Sequence, residues 1–348
     1  MMRAAVLEAI GSLKLKQVPV PEPGPGEVLV RIEANTICGT DLRIISGAKT
    51  AGVRPGVILG HEFAGRVAAV GQGVDGVPVG AQVTCSIVVS CQRCRACLSG
   101  REQLCENLVL FGYELDGGLA EYLLVPKVAM DHGNLVVLEK EIPATTLALA
   151  EPVSCCLNGA GQVAVAPGES VVVLGTGPIG LLHIALAKLA GATTILAAGR
   201  EGRLAAATDF GATCAFALTG EALTAEVRER TNGRGADVVI VAVGDLALAN
   251  QALELAAIGG RVNYFAGFPK GRTASIDPNL IHYRELAVTG GSNARRADVR
   301  RAVELLSSGA LDVGRLVTHR FPLAELDAAV AAVARRDGLK VAVMPAAG

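Results

Sequence analysis

The sequence predicts an α/β protein built from a partly open β-barrel and a doubly wound parallel sheet. Residues 18–34 and 65–85 hold short runs of β-forming residues between Gly and Pro turns, a pattern typical of a barrel. From about Pro167 the runs ESVVVLG, PIGLLHIALAKLA and TTILAAG alternate strand, helix and strand. This alternation indicates a parallel sheet covered by helices.

The length of 348 residues is sufficient for two domains, each with its own core. We expect the first domain at residues 1–152, including a cysteine-rich lobe at 91–105, and the second at 153–290. The segment 291–348 has a helical pattern and ends in the short strand LKVAVMP. We expect this segment to return to the first domain.

The composition argues against several classes of partner. Lys and Arg number 32 and Asp and Glu 33, so we expect no surface for nucleic acid or for an anionic membrane. The apolar run 171–199 is interrupted by glycines and by Pro178, which favours a buried strand, helix and strand over a membrane span. The N-terminus shows no secretory signal, so we expect a cytoplasmic protein whose nine cysteines are mostly reduced.

Four cysteines lie within fifteen residues at Cys91, Cys94, Cys97 and Cys105. Two-residue gaps allow neighbouring thiolates to face one centre, and four thiolates form a closed, structural zinc site. An iron–sulfur cluster is the alternative, but the bacterial ferredoxin pattern has three residues before its fourth cysteine, and a proline follows. Here the last gap is seven residues and Glu106 follows, so the sequence favours zinc.

A second, open metal site is predicted from Cys38 in NTICGTDLR, His61 in ILGHEFAG and Glu151 in LALAEPVSCC. A catalytic zinc takes three protein ligands of mixed type and leaves one position for water or substrate. Each residue alone has an ordinary explanation. Cys38 could be a thiol of the core, His61 a structural histidine, and Glu151 a residue at the beginning of a helix. Their combination is what favours a metal.

The motifs CGTD, GHEFAG, the four-cysteine lobe and GTGPIG, in this order, resemble those of the medium-chain zinc alcohol dehydrogenases over essentially the whole chain. The resemblance implies a GroES-like barrel, a Rossmann domain and a homodimer or homotetramer. It also implies two zinc ions per chain. The catalytic one would be bound by Cys38, His61 and, as in the sorbitol-dehydrogenase-like branch, Glu151.

The resemblance further assigns roles around the catalytic zinc, which would act as a Lewis acid on the substrate hydroxyl. Thr40 would pass on the substrate proton, and Asp41 would orient the metal histidine. Glu62 would either exchange with water at the metal or support its ligands. Many relatives carry a relay histidine where this chain has Arg43, which cannot shuttle protons near neutral pH. Either the relay ends at the cofactor ribose and water, or another group replaces the histidine. Arg43 would instead contact a phosphate of the cofactor or substrate.

The segment Gly175-Thr-Gly177-Pro178-Ile179-Gly180 follows a predicted strand and opens a predicted helix. In this context the glycines permit a tight turn, close approach of the backbone to a pyrophosphate and close packing of the helix. The N-terminus of the helix then faces the phosphates. The sequence therefore predicts a dinucleotide site.

The end of the next strand indicates which dinucleotide binds. An NAD site places Asp or Glu there for the ribose 2′-hydroxyl, whereas this strand ends in Ala198 and Gly199, followed by Arg200. Small residues and a cation suit a 2′-phosphate, so NADP is preferred over NAD. Glu201 is the counterargument, because it could reach a ribose, and NAD remains possible.

Further cofactor contacts are expected at the carboxyl ends of later strands, where open α/β sheets bind ligands. Val243, Gly267 and Ser292 occupy such positions. The family resemblance adds Lys340, which it places near the cofactor phosphates. The candidates for the substrate pocket wall are Arg43, Ile44, Ser46, Phe111, Tyr113 and Glu114.

Together these patterns predict a zinc-dependent oxidoreductase that transfers hydride between NADP(H) and a secondary alcohol or polyol and its ketone. The alternative is an enzyme like L-threonine 3-dehydrogenase, or a simple secondary-alcohol dehydrogenase that uses NAD. The hypothesis from another class is a nucleotide-binding protein that has kept the fold and lost the chemistry. One zinc per chain, instead of two, would favour this last hypothesis.

Overall fold

The computed structural model describes residues 1–345. Its strands are β1 (Met2–Ala9), β2 (Ser12–Val18), β3 (Val28–Thr36), β4 (Glu62–Val70), β5 (Gln82–Cys85), β6 (Val88–Val89), β7 (Val109–Leu110), β8 (Tyr122–Val125), β9 (Leu135–Val137), β10 (Ser170–Leu174), β11 (Thr194–Ala198), β12 (Cys214–Phe216), β13 (Ala236–Val241), β14 (Ala256–Tyr264), β15 (Ala287–Gly290), β16 (Val317–Pro322) and β17 (Lys340–Met344).

The α-helices are α1 (Gly39–Ile45), α2 (Arg95–Leu98), α3 (Lys127–Asp131), α4 (Ala144–Leu147), α5 (Ala150–Val163), α6 (Pro178–Leu189), α7 (Leu204–Phe210), α8 (Gly220–Arg230), α9 (Ala247–Leu255), α10 (Pro278–Arg284), α11 (Arg296–Ser307) and α12 (Leu326–Arg335). Between residues 1 and 345, no helix combines the length and the apolar character needed to cross a membrane. The apolar run 171–199 forms β10, α6 and β11, as the sequence predicts.

The chain divides into two compact units. The first unit comprises Met1–Ser154 and the segment from Asn293 onward, and the second comprises Cys155–Ser292. The boundary between residues 154 and 155 falls inside α5. The segment that follows the second unit therefore belongs with the beginning of the chain.

The second unit contains a six-stranded parallel sheet in the order β12-β11-β10-β13-β14-β15. Strand β10, SVVVL, is buried along its whole length, because a parallel sheet in this fold class is covered on both faces. Leu174 pairs with both Ala198 and Val241, so the carboxyl ends of three central strands lie side by side. The predicted doubly wound sheet is confirmed, and its loop-bearing edge carries the glycine segment.

The first unit is built on a mostly antiparallel sheet in the order β16-β17-β3-β4-β5-β9, with β8 also paired to β3. Strand β17, near the end of the chain, pairs antiparallel with β3 at Thr36 and Asn35. Apolar residues of this unit form two clusters, one that includes Ile44 and Tyr113 and the other that includes Ile32 and Phe111. The C-terminal strand thus brings its residues to the strand that precedes the CGTD motif.

Candidate active site

The CGTD motif lies at the junction between β3 and α1. Cys38 is the residue before α1, and its backbone N–H donates to Asp41 Oδ2 at 2.9 Å. A carboxylate on the third residue of a helix satisfies a free N–H of the first turn and suits the positive end of the helix dipole. This local bond fixes the turn that presents the Cys38 thiol, with Thr40 half-exposed next to it.

His61 is buried directly beside this turn. Its Nδ1 lies 3.2 Å from Asp41 Oδ1, and both side chains are nearly inaccessible to solvent. Burial alone would lower the pKa of His61, but the Asp41 carboxylate and other neighbours raise it well above its usual value. Because Nδ1 faces Asp41, Nε2 is the nitrogen left for a ligand. Asp41 therefore orients the imidazole and increases its basicity as a donor.

Cys38, His61 and Glu62 form a compact group of potential metal ligands, with one ligand atom from each lying within 4.8 Å of the others. Glu62 is buried, and it accepts hydrogen bonds from the Thr36 hydroxyl and from the Lys340 ammonium. A thiol, an imidazole and a carboxylate are the mixed donors that a catalytic zinc takes. The donor chemistry of this group fits zinc.

Glu151 is half-buried in the first turn of α5 and is not a member of that 4.8 Å group. Its charge nevertheless acts on Lys340. Burial lowers the pKa of Lys340, but the Glu62 carboxylate raises it well above the usual range, and Cys38 and Glu151 add to this effect. The structure thus brings Glu62 to the first two predicted ligands, and the role of Glu151 as third ligand stays a prediction.

Lys340 lies at the start of β17 in the first unit, buried against Glu62. Its ammonium donates to Glu62 in this structure, and the predicted contact with the cofactor phosphates stays a prediction. No signal in the sequence could reveal the pairing, because the two residues are 278 positions apart.

The four cysteines of the lobe also converge, with their sulfur atoms within 4.8 Å of one another. All four are free thiols. The backbone N–H groups of Cys91 and Asn107 donate to Cys105 Sγ at 3.2 Å and 3.3 Å. A backbone hydrogen bond involving Arg93 lowers the pKa of the Cys91 thiol to about 6, which favours a thiolate at neutral pH. This arrangement fits a closed four-thiolate zinc site.

A partly buried ion pair holds the lobe to helix α11. Glu102, between the third and fourth cysteines, accepts from the Arg296 backbone N–H at 2.7 Å and also binds its guanidinium. The same guanidinium donates to the His132 carbonyl at 2.7 Å. Sequence reasoning missed this anchor, because nothing local marks Arg296 among the neighbouring arginines.

The glycine segment forms a tight turn between β10 and α6. Gly175 has a φ of +108°, which is the left-handed region that favours glycine. A Cβ at Gly180 would lie 1.7 Å from the Gly175 carbonyl oxygen, so only glycine permits this approach. Gly177 precedes α6 and Pro178 begins it, followed by Ile179. The N–H groups of the first turn are thus available to an anion, as expected for a dinucleotide site.

The end of β11 carries cations and no carboxylate in the expected position. A Cβ at Gly199 would lie 2.0 Å from Thr176 Oγ1, so this position is restricted to glycine. Sequence reasoning did not identify Arg203. In the structure its guanidinium adjoins the glycine turn, because a Cβ added to Gly177 would lie 3.5 Å from Arg203 Nη1. Burial lowers the pKa of Arg203 and the charge of Arg200 lowers it further, which shows two neighbouring cations beside the glycine turn.

The other predicted cofactor residues lie in loops that follow strands of the same sheet. Val243 is partly exposed after β13. A Cβ at Gly244 would lie 2.3 Å from the Gly267 carbonyl oxygen, so the loops after β13 and β14 are in contact. The Ser292 carbonyl, two residues after β15, accepts from Asn158 Nδ2 at 3.3 Å. Their role in cofactor binding stays a prediction.

Comparison with known proteins agrees with this architecture. Residues 24–132 match the alcohol dehydrogenase GroES-like domain, and residues 178–308 match the zinc-binding dehydrogenase family. L-Threonine 3-dehydrogenase of Pyrococcus furiosus is 37% identical over 314 residues, which cover 88% of each chain. L-Galactonate-5-dehydrogenase of Escherichia coli K12 is 33% identical over 325 residues, which cover 93% of each chain.

Among solved structures, a protein described as a zinc-binding dehydrogenase of Sinorhizobium meliloti 1021, bound to NADP, superposes with a TM-score of 0.92. It is 36% identical, and the match covers 99% of both chains. The chain belongs to the zinc-dependent medium-chain alcohol dehydrogenase family. It combines the GroES-like domain and the Rossmann-type sheet of that family, and is a dehydrogenase that acts on alcohols.

Proposed function

We propose that the protein is a zinc-dependent oxidoreductase that transfers hydride between NADP(H) and a secondary alcohol or polyol and its ketone. The observation that carries this proposal is the convergence of Cys38, His61 and Glu62 in the first unit. Glu151, whose charge acts on the same centre, completes the ligand set in this proposal. The enzyme then uses two zinc ions per chain, the second one in the cysteine lobe.

Zinc, when bound at this centre, supplies Lewis acidity that makes the substrate hydroxyl a better proton donor. The half-exposed Thr40 hydroxyl receives and passes on that proton. Asp41 holds His61 with Nε2 directed away from the carboxylate, and thus fixes the orientation of the ligand. Arg43 is exposed in the last turn of α1, and its guanidinium keeps its proton near neutral pH. Arg43 therefore takes no part in proton transfer, and the relay continues through water.

NADP is the proposed cofactor because of the cations beside the glycine turn. Arg200 and Arg203 are close enough for one to affect the pKa of the other, and Arg203 adjoins Gly177. Two guanidinium groups suit a 2′-phosphate, which NAD lacks. The structural relative from Sinorhizobium meliloti is bound to NADP, which supports the same choice.

L-Threonine is the second candidate substrate. The specific observation in its favour is the 37% identity to the Pyrococcus furiosus L-threonine 3-dehydrogenase. Threonine is itself a secondary alcohol, so the metal chemistry proposed above applies unchanged. We further propose a homodimer or homotetramer, as the family resemblance implies, and a cytoplasmic location, as the N-terminal sequence suggests.

The test is a turnover screen on zinc-loaded protein. It follows reduced nicotinamide with NAD and NADP against sugar alcohols, sugar phosphates, vicinal diols, simple secondary alcohols and threonine. We expect NADP reduction with a polyol or with threonine. Cys38→Ser serves as the matched control, because it should lose this turnover if the reaction depends on the proposed zinc ligand. Two zinc ions per chain but no turnover on any substrate would contradict the proposal and favour a protein that binds the nucleotide without reacting.

A further inference from the structure

A lysine without a carboxylate partner lies above the ring that covers the metal-binding histidine. The ring of Tyr113 lies 5.5 Å from the imidazole of His61, centre to centre. The Lys49 ammonium sits 5.2 Å from the centre of the same ring, on its face. The two separations together place this ammonium no farther than about 11 Å from the imidazole.

The position of Lys49 is built into the fold. Its backbone N–H donates to the Arg43 carbonyl at 2.9 Å, so the residue belongs to the turn that follows α1 and the CGTD motif. Attraction between the ammonium and the Tyr113 ring holds the side chain in place and leaves its charge uncancelled. Among residues 1–345, no carboxylate oxygen lies within 4 Å of the Lys49 ammonium.

The other charged residues in the wall of a cavity beside Lys49 are already paired. Lys49 and Arg54 both line a cavity of about 200 Å³ whose other walls are mainly apolar. Arg54 binds Asp116 at 2.6 Å, and Glu8, the one acidic residue in the cavity wall, is paired with Lys16. Lys49, which is half-exposed, is thus the cation of this cavity wall that has no carboxylate partner among the described residues.

We propose that Lys49 is the specificity-determining residue of the substrate site, and that the substrate is a hydroxy compound with an anionic group, carboxylate or phosphate. This inference rests on the proposed function, because it takes Cys38, His61 and Glu62 to be the reacting end of the site. The hydroxyl binds at that end, and the anion pairs with the ammonium of Lys49. A single ammonium supplies one charge without the two-pronged geometry of arginine, so it accepts either anion.

The test compares three six-carbon compounds that differ mainly in charge: D-sorbitol, D-gluconate and D-sorbitol 6-phosphate. Binding to the zinc-loaded protein is measured by calorimetry, and turnover is measured with NADP. Lys49→Met removes the charge and keeps the length of the side chain, while Lys49→Arg keeps the charge. Lys140→Met is the matched control, because Lys140 is exposed elsewhere in the same unit.

We expect at least one anion to bind at least about tenfold more tightly than sorbitol, and Lys49→Met to remove this advantage. Lys49→Arg should restore most of it, and Lys140→Met should change nothing. The preferred anion identifies the source, carboxylate or phosphate. The protein could bind an anion through Lys49 and yet turn over none of the three compounds. That result would support this inference and contradict the proposed function.

Equal binding of sorbitol and both anions would overturn the inference, as would anion binding that Lys49→Met leaves intact. Turnover of neutral polyols with the same kcat/KM in the wild type and Lys49→Met would leave the proposed function standing and exclude Lys49 as its specificity residue.

Discussion

Lys340 and Glu62 form a buried ion pair at the candidate metal centre, with the ammonium nitrogen 2.6 Å from each carboxylate oxygen. Both side chains are almost completely shielded from solvent. The attraction between them offsets the desolvation of two charges only while both are present. The free energy of unfolding of the first unit should therefore change when either charge at the candidate metal site is removed.

Lys340→Met should lower the free energy of unfolding of the zinc-free protein by about 3–5 kcal/mol, because it leaves Glu62 buried and unpaired. Added zinc should restore part of this loss, since a bound cation stabilises the folded state and supplies positive charge beside Glu62. Urea unfolding with and without zinc measures both effects. The control is the double variant Lys340→Met/Glu62→Gln, and an equal loss in the double variant would show that the unpaired charge is not the cause.

Two cysteine variants should separate the two proposed zinc sites. Cys97→Ser should reduce the zinc content by one and lower Tm, because a closed thiolate site contributes folding free energy. Cys38→Ser should also lose one zinc and abolish turnover, but with a smaller change in Tm. Elemental analysis and thermal unfolding give the answer, and a Cys97→Ser protein with full zinc content and unchanged Tm would contradict the lobe assignment.

Arg203→Ala should weaken NADP use selectively. Loss of one guanidinium contact to a 2′-phosphate corresponds to roughly tenfold or more in affinity, whereas NAD has no such phosphate. We therefore expect kcat/KM to fall by at least about tenfold for NADP and to stay within about twofold for NAD. Arg200→Ala should behave alike, and Arg234→Ala, in the same unit but after α8, serves as the control. Equal losses with both cofactors would argue for a structural role.

His183 should make the second unit sensitive to acid. Burial lowers the pKa of His183 to about 3, while an unfolded histidine titrates near 6.5. Between these values the unfolded chain binds the extra proton, so stability is complete above about pH 6.5 and falls by up to ~1.4 kcal/mol per pH unit below it. His183→Leu, which keeps an apolar contact with the Phe265 ring 4.6 Å away, should remove this contribution.

Urea unfolding at pH 7 and pH 5 measures the difference between the wild type and His183→Leu. His282→Leu is the control, because His282 is exposed in the same unit. Identical pH dependence in the wild type and His183→Leu would mean that the buried imidazole does not control acid stability.

The sequence allowed prediction of features that depend on short spacings. The four cysteines and the glycine turn each lie within fifteen residues, so their local pattern indicates what they form. The parallel sheet was also predictable, because buried strands and helices leave different periodicities. Each of these features is encoded by neighbours along the chain.

The features that the sequence did not predict depend on contacts between residues that are distant along the chain. The Lys340–Glu62 pair and the Arg296–Glu102 pair join residues 278 and 194 positions apart, and no periodicity marks either one. Arg203 was overlooked because a charged residue in a polar turn looks like solvated surface. Its proximity to Gly177 arises only when β10, α6 and the turn after β11 are assembled.

The late position of β17 and Arg296 has a consequence for synthesis of the protein. During translation, residues 155–292 leave the ribosome before the strand that pairs with β3 and the arginine that holds the cysteine lobe. In the first unit, β3 therefore has no β17 to pair with while the second unit already has all its residues. Cys38, His61 and Glu62 meet Lys340 only after the second unit has been synthesised, so the candidate metal centre is completed later than the residues of that unit.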